Sequence, residues 1–333
     1  MSIVDIGDKT IAPYFLHTAP LFGFITLLNT ASLRDFTLTN AIIQSSIFIF
    51  SAQIPSYFTG IMSWVDLAWP SGLVAIAMQT YYNVDPTTNP WRTNIGALLY
   101  LLQGGRMALG ATSMVISGHM KREMPRYQYQ KIRWAKRGIH KGSALYTLMM
   151  QKEIFMQAYF NFGGAVVPGI LIANNKLKDA PLQAAEYVGI LLWLFSYYIE
   201  HTSDLQKVSF LKRMKKEGIR NSSMTEKLWS ISRHPNYLGE WMCWLSLTIY
   251  AFPSLKSFID SQDETTTGKI MLSMSLAICS MSMYFCLTWW TGATPAEYFS
   301  LQKRKGYAEY MKRVPQLIPR IGDVIAYIFG SKK

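Results

Sequence analysis

Charge is scarce in this chain. Only 16% of its 333 residues are Asp, Glu, Lys or Arg, below the roughly 25% usual for soluble domains. Acidic residues are the scarcer sign, 20 against 33 basic ones. Cysteine is nearly missing: Cys243, Cys279 and Cys286 all fall in apolar stretches, which excludes a disulfide framework and a Cys-x-x-Cys metal site. The five histidines (His17, His119, His140, His201 and His234) are scattered and form no clustered ligand box, so no metal is expected. No Gly-x-Gly-x-x-Gly turn, Gly-Lys-Ser/Thr loop or His-Glu-x-x-His pair occurs, which removes the soluble dinucleotide, phosphate-loop and zinc-protease sites. A Gly-x-Ser-x-Gly elbow is missing too, and with it the usual nucleophilic serine. The first residues lack a basic region followed by a short apolar core and a cleavage site, so no removed signal peptide is expected.

What the chain has instead is long runs without charge. Half of its residues are hydrophobic, and Ile11–Leu33, Phe36–Val65, Leu67–Val84, Ile154–Asn175 and Ile270–Ala296 contain no charged side chain. A bilayer core takes about 20 mostly apolar residues per helix. These runs predict an all-α, polytopic membrane helix bundle of about seven or eight transmembrane helices. Pro55 should break the second run. A single integral membrane domain over 1–333 is expected, with N-terminal helices over 11–175 and a C-terminal half over 184–320. Tyr307, Tyr310 and Met311 have the spacing of a C-terminal interfacial helix.

The net charge of +13 is concentrated in three segments, Lys121–Lys141, Lys207–Lys227 and Lys303–Arg313. Basic segments of this kind face the cytoplasm. They follow the fourth, sixth and eighth predicted spans, which places both termini there as well. Lys256–Lys269, with three acids, would lie opposite, and the Asn221-Ser222-Ser223 acceptor pattern would be cytoplasmic and unglycosylated. Attraction to anionic lipid or to a phosphorylated cofactor accounts for the basic segments, and no nucleic-acid partner is expected.

One stretch gathers most of the chemistry: Ser230 to Trp241, containing Arg233-His234-Pro235-Asn236-Tyr237-Leu238-Gly239-Glu240 and running straight into the charge-free Trp241–Leu255. Pro235 suits the first turn of a helix, because it lacks an N–H that would be orphaned there anyway. Asn236 and Glu240 then share a face. Other polar residues stand out against apolar surroundings: Asp66 in Asp66-Leu67-Ala68-Trp69, Arg106, Gln157, and Glu200-His201-Thr202-Ser203-Asp204-Leu205-Gln206-Lys207. A charge in mid-span costs about 2.5–3.5 kcal/mol on insertion scales, so Asp66 and Arg106 should face the interior, where they could pair.

The Arg-His-Pro-Asn-Tyr-Leu-Gly-Glu block resembles the signature of the steroid 5α-reductase-like membrane reductases, most closely an uncharacterised domain-of-unknown-function branch. The sterol C14- and C7-reductases carry a similar block, and the isoprenylcysteine carboxyl methyltransferases a shorter one. The resemblance extends to Asp-x-x-Trp at Asp66, to Glu123-Met124-Pro125-Arg126-Tyr127 (Met124 stands where the family has Asp), to the Glu200–Lys207 motif and to the tail through Pro319. It implies an NADPH-dependent reductase of an activated C=C bond in a lipophilic steroid-, sterol-, prenyl- or acyl-like substrate. By position, Asp204, Lys207, Arg233, His234, Asn236, Tyr237 and Glu240 would surround NADPH, with Glu297 and Tyr310 on the far wall. Asp66 with Tyr127 or Tyr159 would supply the proton. The membrane would be the endoplasmic reticulum in a eukaryote and the inner membrane in a bacterium. The alternatives are an S-adenosylmethionine-dependent membrane methyltransferase and a non-catalytic scaffold of the same fold.

Overall fold

The computed structural model describes residues 12–83 and 86–330. The polar lead 1–10, the run ends at Ile11 and Val84, and the Lys332-Lys333 ending lie outside the described residues, as do both termini. Among the described residues the secondary structure is helical, with no strand.

The first helix, α1, is Ala12–Asn29. Next, α2 (Arg34–Phe48) passes through one wide turn, Ile49–Gln53, into Ile54–Thr59. Pro55 was expected to break the chain here. The wide turn absorbs it, and the helix stops at Gly60, whose φ of 69° suits a residue without a Cβ. Helices α3 (Val65–Tyr82) and α4 (Pro90–Ile116) pair closely. Asp66 therefore sits in the first turn of α3 rather than in mid-span, and Pro70 is accommodated inside the helix. Then come α5 (Pro125–Lys136), α6 (Ala144–Phe160), a wide turn at Asn161–Ala165 that contains Gly163-Gly164, and α7 (Val167–Ala173). Every residue of α7 is buried; a helix apolar all round belongs at the centre of the bundle.

The second half begins with α8 (Ala184–Lys216), opened by a capping box between Gln183 and Glu186. It packs along α9 (Pro235–Ile259) more extensively than any other pair. Two glycines make this possible. A Cβ on Gly189 would lie 2.9 Å from the Tyr250 backbone, and one on Gly239 would lie 2.6 Å from the Glu200 nitrogen. Helix α10 (Thr266–Phe285) packs on α1 and continues through a wide turn, Cys286–Trp290, towards α11 (Ala293–Lys303). Last come α12 (Tyr307–Arg313) and α13 (Ile321–Phe329).

Among the described residues two helical stretches are long and apolar enough to cross a membrane, Ala144–Ala173 and Thr266–Lys303. The outer surface is also apolar in many places: Phe50, Phe58, Leu109 and Leu191 are exposed, while Asn40, Gln44 and Asn161 are fully buried and bond one another. Tyr307, Tyr310 and Met311 were expected on an exposed surface helix. Tyr307 and Tyr310 are buried against Val314, whereas α13 has no buried residue and exposes Ile321, Ile325, Ile328 and Phe329.

Candidate functional site

The three basic segments converge at one end of the bundle, around a cleft of about 350 Å³, a size in the range of small-molecule sites. Arg126 of α5, Lys207 of α8, His234 and Tyr237 at the start of α9, and Lys303 and Arg304 at the end of α11 line it.

Arg233 anchors this end. Its Nε donates to Glu297 Oε1 at 2.7 Å, and its Nη1 to the carbonyls of Met311 and Val314 at 2.9 and 2.6 Å. The Arg233 backbone N–H donates to Pro315 O at 2.9 Å, and Ser232 Oγ to Leu317 O at 2.7 Å. The Tyr310 hydroxyl donates to Trp229 O. Arg233, Glu297 and Tyr310, expected around a cofactor, all have protein partners here. Arg233 and Tyr310 do form part of the cleft wall, but most of the planar guanidinium fork is satisfied by protein acceptors. Glu297 lies behind the wall, buried, and also meets His234 Nε2 at 3.1 Å.

His234 is the residue before the first turn of α9, and its ring lies parallel to Tyr237 at 5.2 Å. Burial pushes its pKa below the ordinary histidine value, with the Glu297 hydrogen bond opposing. The neutral imidazole therefore presents one donor and one acceptor nitrogen at pH 7. Lys207 Nζ lies 4.6 Å from the centre of the Trp229 ring. Burial lowers its pKa, Arg304 adds to that, and Asp204 opposes it.

One turn back along α8, Glu200 and Asp204 face α4 instead of the cleft. Arg106 pairs closely with Glu200 and reaches Asp204 at 3.4 Å, and Gln103 donates to Glu200 at 3.2 Å. Asn236 Nδ2 donates to Asp204 at 3.2 Å, leaving its Oδ1 buried without a partner. Among the described residues Glu240 has no hydrogen-bond donor, and it faces the charges of Arg106, Arg126 and Asp204. Arg106 thus does not pair with Asp66, as the sequence allowed.

Asp66 has other partners. The Tyr127 hydroxyl donates to it at 2.8 Å and Arg126 Nη2 at 3.1 Å. Burial and the Asp66 charge push the Tyr127 pKa well up, and the same carboxylate raises that of Arg126. Glu123 clamps the turn before α3, accepting from the Met62 and Ser63 N–H groups at 3.0 Å each and pairing with Lys131. The alternative partner, Tyr159, is not joined to Asp66. It stacks on Phe155 at 6.0 Å, next to Phe162, because its position on α6 points it into an aromatic cluster.

Several residues of this end escaped the sequence reading. Lys303 and Arg304 had counted only as basic charge; their signal is a Lys-Arg-Lys run directly before Gly306-Tyr307 at a helix end. Glu153, buried and accepting from Trp290 Nε1 and from Gln130 at 3.1 Å, is signalled by a lone acid inside an apolar helix.

Gly239 is the residue of the block whose role is steric. Gly239→Ala would drive a methyl group into the Glu200 backbone, which cannot swing aside as a flexible side chain would. Overpacking of this kind costs typically 1–3 kcal/mol. The variant is expected to unfold several degrees earlier in detergent; an unchanged midpoint would show that the helices can separate freely.

A family model described as a protein of unknown function (DUF1295) matches residues 52–314, a range that includes all of the residues discussed above from Asp66 to Val314. No curated protein and no solved structure matches the chain.

Proposed function

This chain belongs to the DUF1295 family of proteins of unknown function, and from that premise we propose that it is a multi-pass membrane reductase that uses NADPH to saturate an activated C=C bond in a lipophilic substrate. The observation that carries the reading is the cleft. Lys207, Lys303 and Arg304 line it without a carboxylate partner, between the aromatic faces of Trp229, Tyr237 and Phe299. Unpaired cations in a half-closed cleft favour an anion, and aromatic walls favour a planar ring. A phosphorylated dinucleotide answers to both. The residues fit it in one further respect: Asn236 Oδ1, in the first turn of α9 next to His234 and Tyr237, is a buried polar atom without a partner. Lys207, Lys303 and Arg304 would hold phosphates, and His234, Tyr237 and Asn236 would meet the rings and sugars.

Bound there, NADPH would supply a hydride to an electron-poor C=C bond. The remaining task for the chain is to hold a proton. Tyr127 keeps one in its hydrogen bond to Asp66, and Arg126 balances the Asp66 charge and reaches the cleft wall. Exposed apolar side chains, with Asn40, Gln44 and Asn161 buried inside, support the membrane reading, for which the charge-free runs suggest about seven or eight spans, and α13 suits the interface.

Thermal unfolding of the detergent-purified protein with NADPH, NADH and S-adenosylmethionine tests this. A ligand at a hundredfold excess over Kd stabilises by about 2.7 kcal/mol. An upward shift with NADPH is expected, reduced in Lys207→Gln by the loss of a charge-assisted contact, about tenfold or more in Kd. A shift with S-adenosylmethionine alone would turn the reading to a methyltransferase, and no shift with any of the three to a scaffold.

A further inference from the structure

A second cleft, of about 550 Å³, opens beside the first. The end of α8 and the turn after it supply Lys215 and Arg220, and α11 supplies Lys303 and Arg304, which both clefts share. Among the described residues none of these four cations pairs with a carboxylate, although Arg213 nearby is neutralised by Glu226 at 2.9 Å. The floor is apolar: Phe210, Leu211, Met214 and Ile219. Two of these, Leu211 and Ile219, are exposed. They continue a stripe of exposed apolar side chains that runs down α8 through Val208, Leu205, Tyr198 and Leu194. A soluble phosphate would use the cations and leave the floor and the stripe bare. A molecule with an anionic head and a long apolar tail would use all three.

We propose that the second cleft binds one anionic phospholipid, its phosphate among Lys215, Arg220, Lys303 and Arg304 and its acyl chain along the exposed face of α8. The charge complementarity and the apolar track commit the site to a bilayer lipid. The site goes beyond the reductase reading and does not depend on it. The turn that forms its rim carries Asn221, held at φ 61°, so a glycan on that residue would occupy the cleft mouth.

Native mass spectrometry of the full-length protein in detergent tests the site, with phosphatidic acid, phosphatidylglycerol or phosphatidylcholine added in turn. Retention of a single phosphatidic acid or phosphatidylglycerol, and not phosphatidylcholine, is expected. Lys215 and Arg220 line only the second cleft, and each basic side chain near an anionic surface is worth roughly fivefold in affinity. Lys215→Gln with Arg220→Gln should therefore weaken retention about 25-fold, whereas Lys141→Gln, in another basic segment, should not. Both substitutions are on exposed side chains, and an unchanged unfolding midpoint confirms that the fold persists. Equal retention of phosphatidylcholine, or full retention by the double variant, would overturn the proposal. So would complete displacement by millimolar inorganic phosphate, which would make this a soluble-anion site.

Discussion

Replacing Arg92 with Met should lower the stability of the protein by about 3–5 kcal/mol, the cost of breaking a buried ion pair by removing one partner. Arg92 and Glu186 are both fully buried, at the end of the bundle opposite the cleft. Nε meets one carboxylate oxygen at 2.5 Å and Nη2 the other at 3.1 Å, while Nη1 and Nη2 also donate to the carbonyls of Ala180 and Pro181. In Arg92→Met the Glu186 carboxylate keeps only the Gln183 N–H at 2.7 Å. The Pro181 carbonyl loses its donor as well, while Ala180 O keeps the Asn89 Nδ2 donor at 3.1 Å. A large fall in the unfolding midpoint is expected, along with poor yield. The pair itself need not be stabilising on balance, because taking two charges out of water offsets most of their attraction. Arg92→Met with Glu186→Leu should therefore recover much of the loss. If the single variant unfolds with the wild type, the pair is open to water and the burial described here is wrong.

The largest effect on turnover should come from Tyr127→Phe. The substitution removes one hydroxyl and leaves the packing of α5, with Trp134 against Tyr146 of α6, in place. If the Asp66–Tyr127 pair holds the proton, kcat should fall by about 10²–10⁴-fold, the usual contribution of a positioned acid. The NADPH-induced shift in unfolding should persist, since Tyr127 is not among the residues lining the cleft. Turnover would be followed as NADPH oxidation with lipophilic enones. A variant that retains full turnover would move the proton source elsewhere, with buried Glu153 next to examine. A variant that loses both turnover and the NADPH shift would show that Tyr127 acts only by holding Arg126 in place.

The sequence made the helical class and the site's end of the bundle legible for definite reasons. Charge-free runs marked the helices, and the three basic segments marked the end where they meet. The Arg233–Glu240 block announced the start of α9 because Pro235 can only open a helix comfortably. Pairings were harder to read. Asp66 and Arg106 were each recognisable as charges needing an inward partner, but which partner depended on where α3 begins. Once the helix starts at Val65, Asp66 falls beside α5 and is taken by Arg126 and Tyr127, and Arg106 is left to Glu200 and Asp204. Arg233 and Glu297 looked like ligand contacts because a charge in such a block suggests one. Their mutual bond spans 64 residues, and no local pattern could have indicated it.

That long-range bond also has a consequence for biosynthesis. Arg233 and Ser232 are held by Met311, Val314, Pro315 and Leu317, so the wall of the cleft is closed by residues translated roughly eighty codons later. A nascent chain that has emerged only as far as α11 can already have paired α3 with α4 and α8 with α9. It still leaves Arg233 held by Glu297 alone, without the Met311 and Val314 carbonyls, at the lip of an open groove. Chains cut short by a premature stop after α11 should therefore form a nearly complete helical bundle whose cleft wall lacks the backing of Met311, Val314, Pro315 and Leu317.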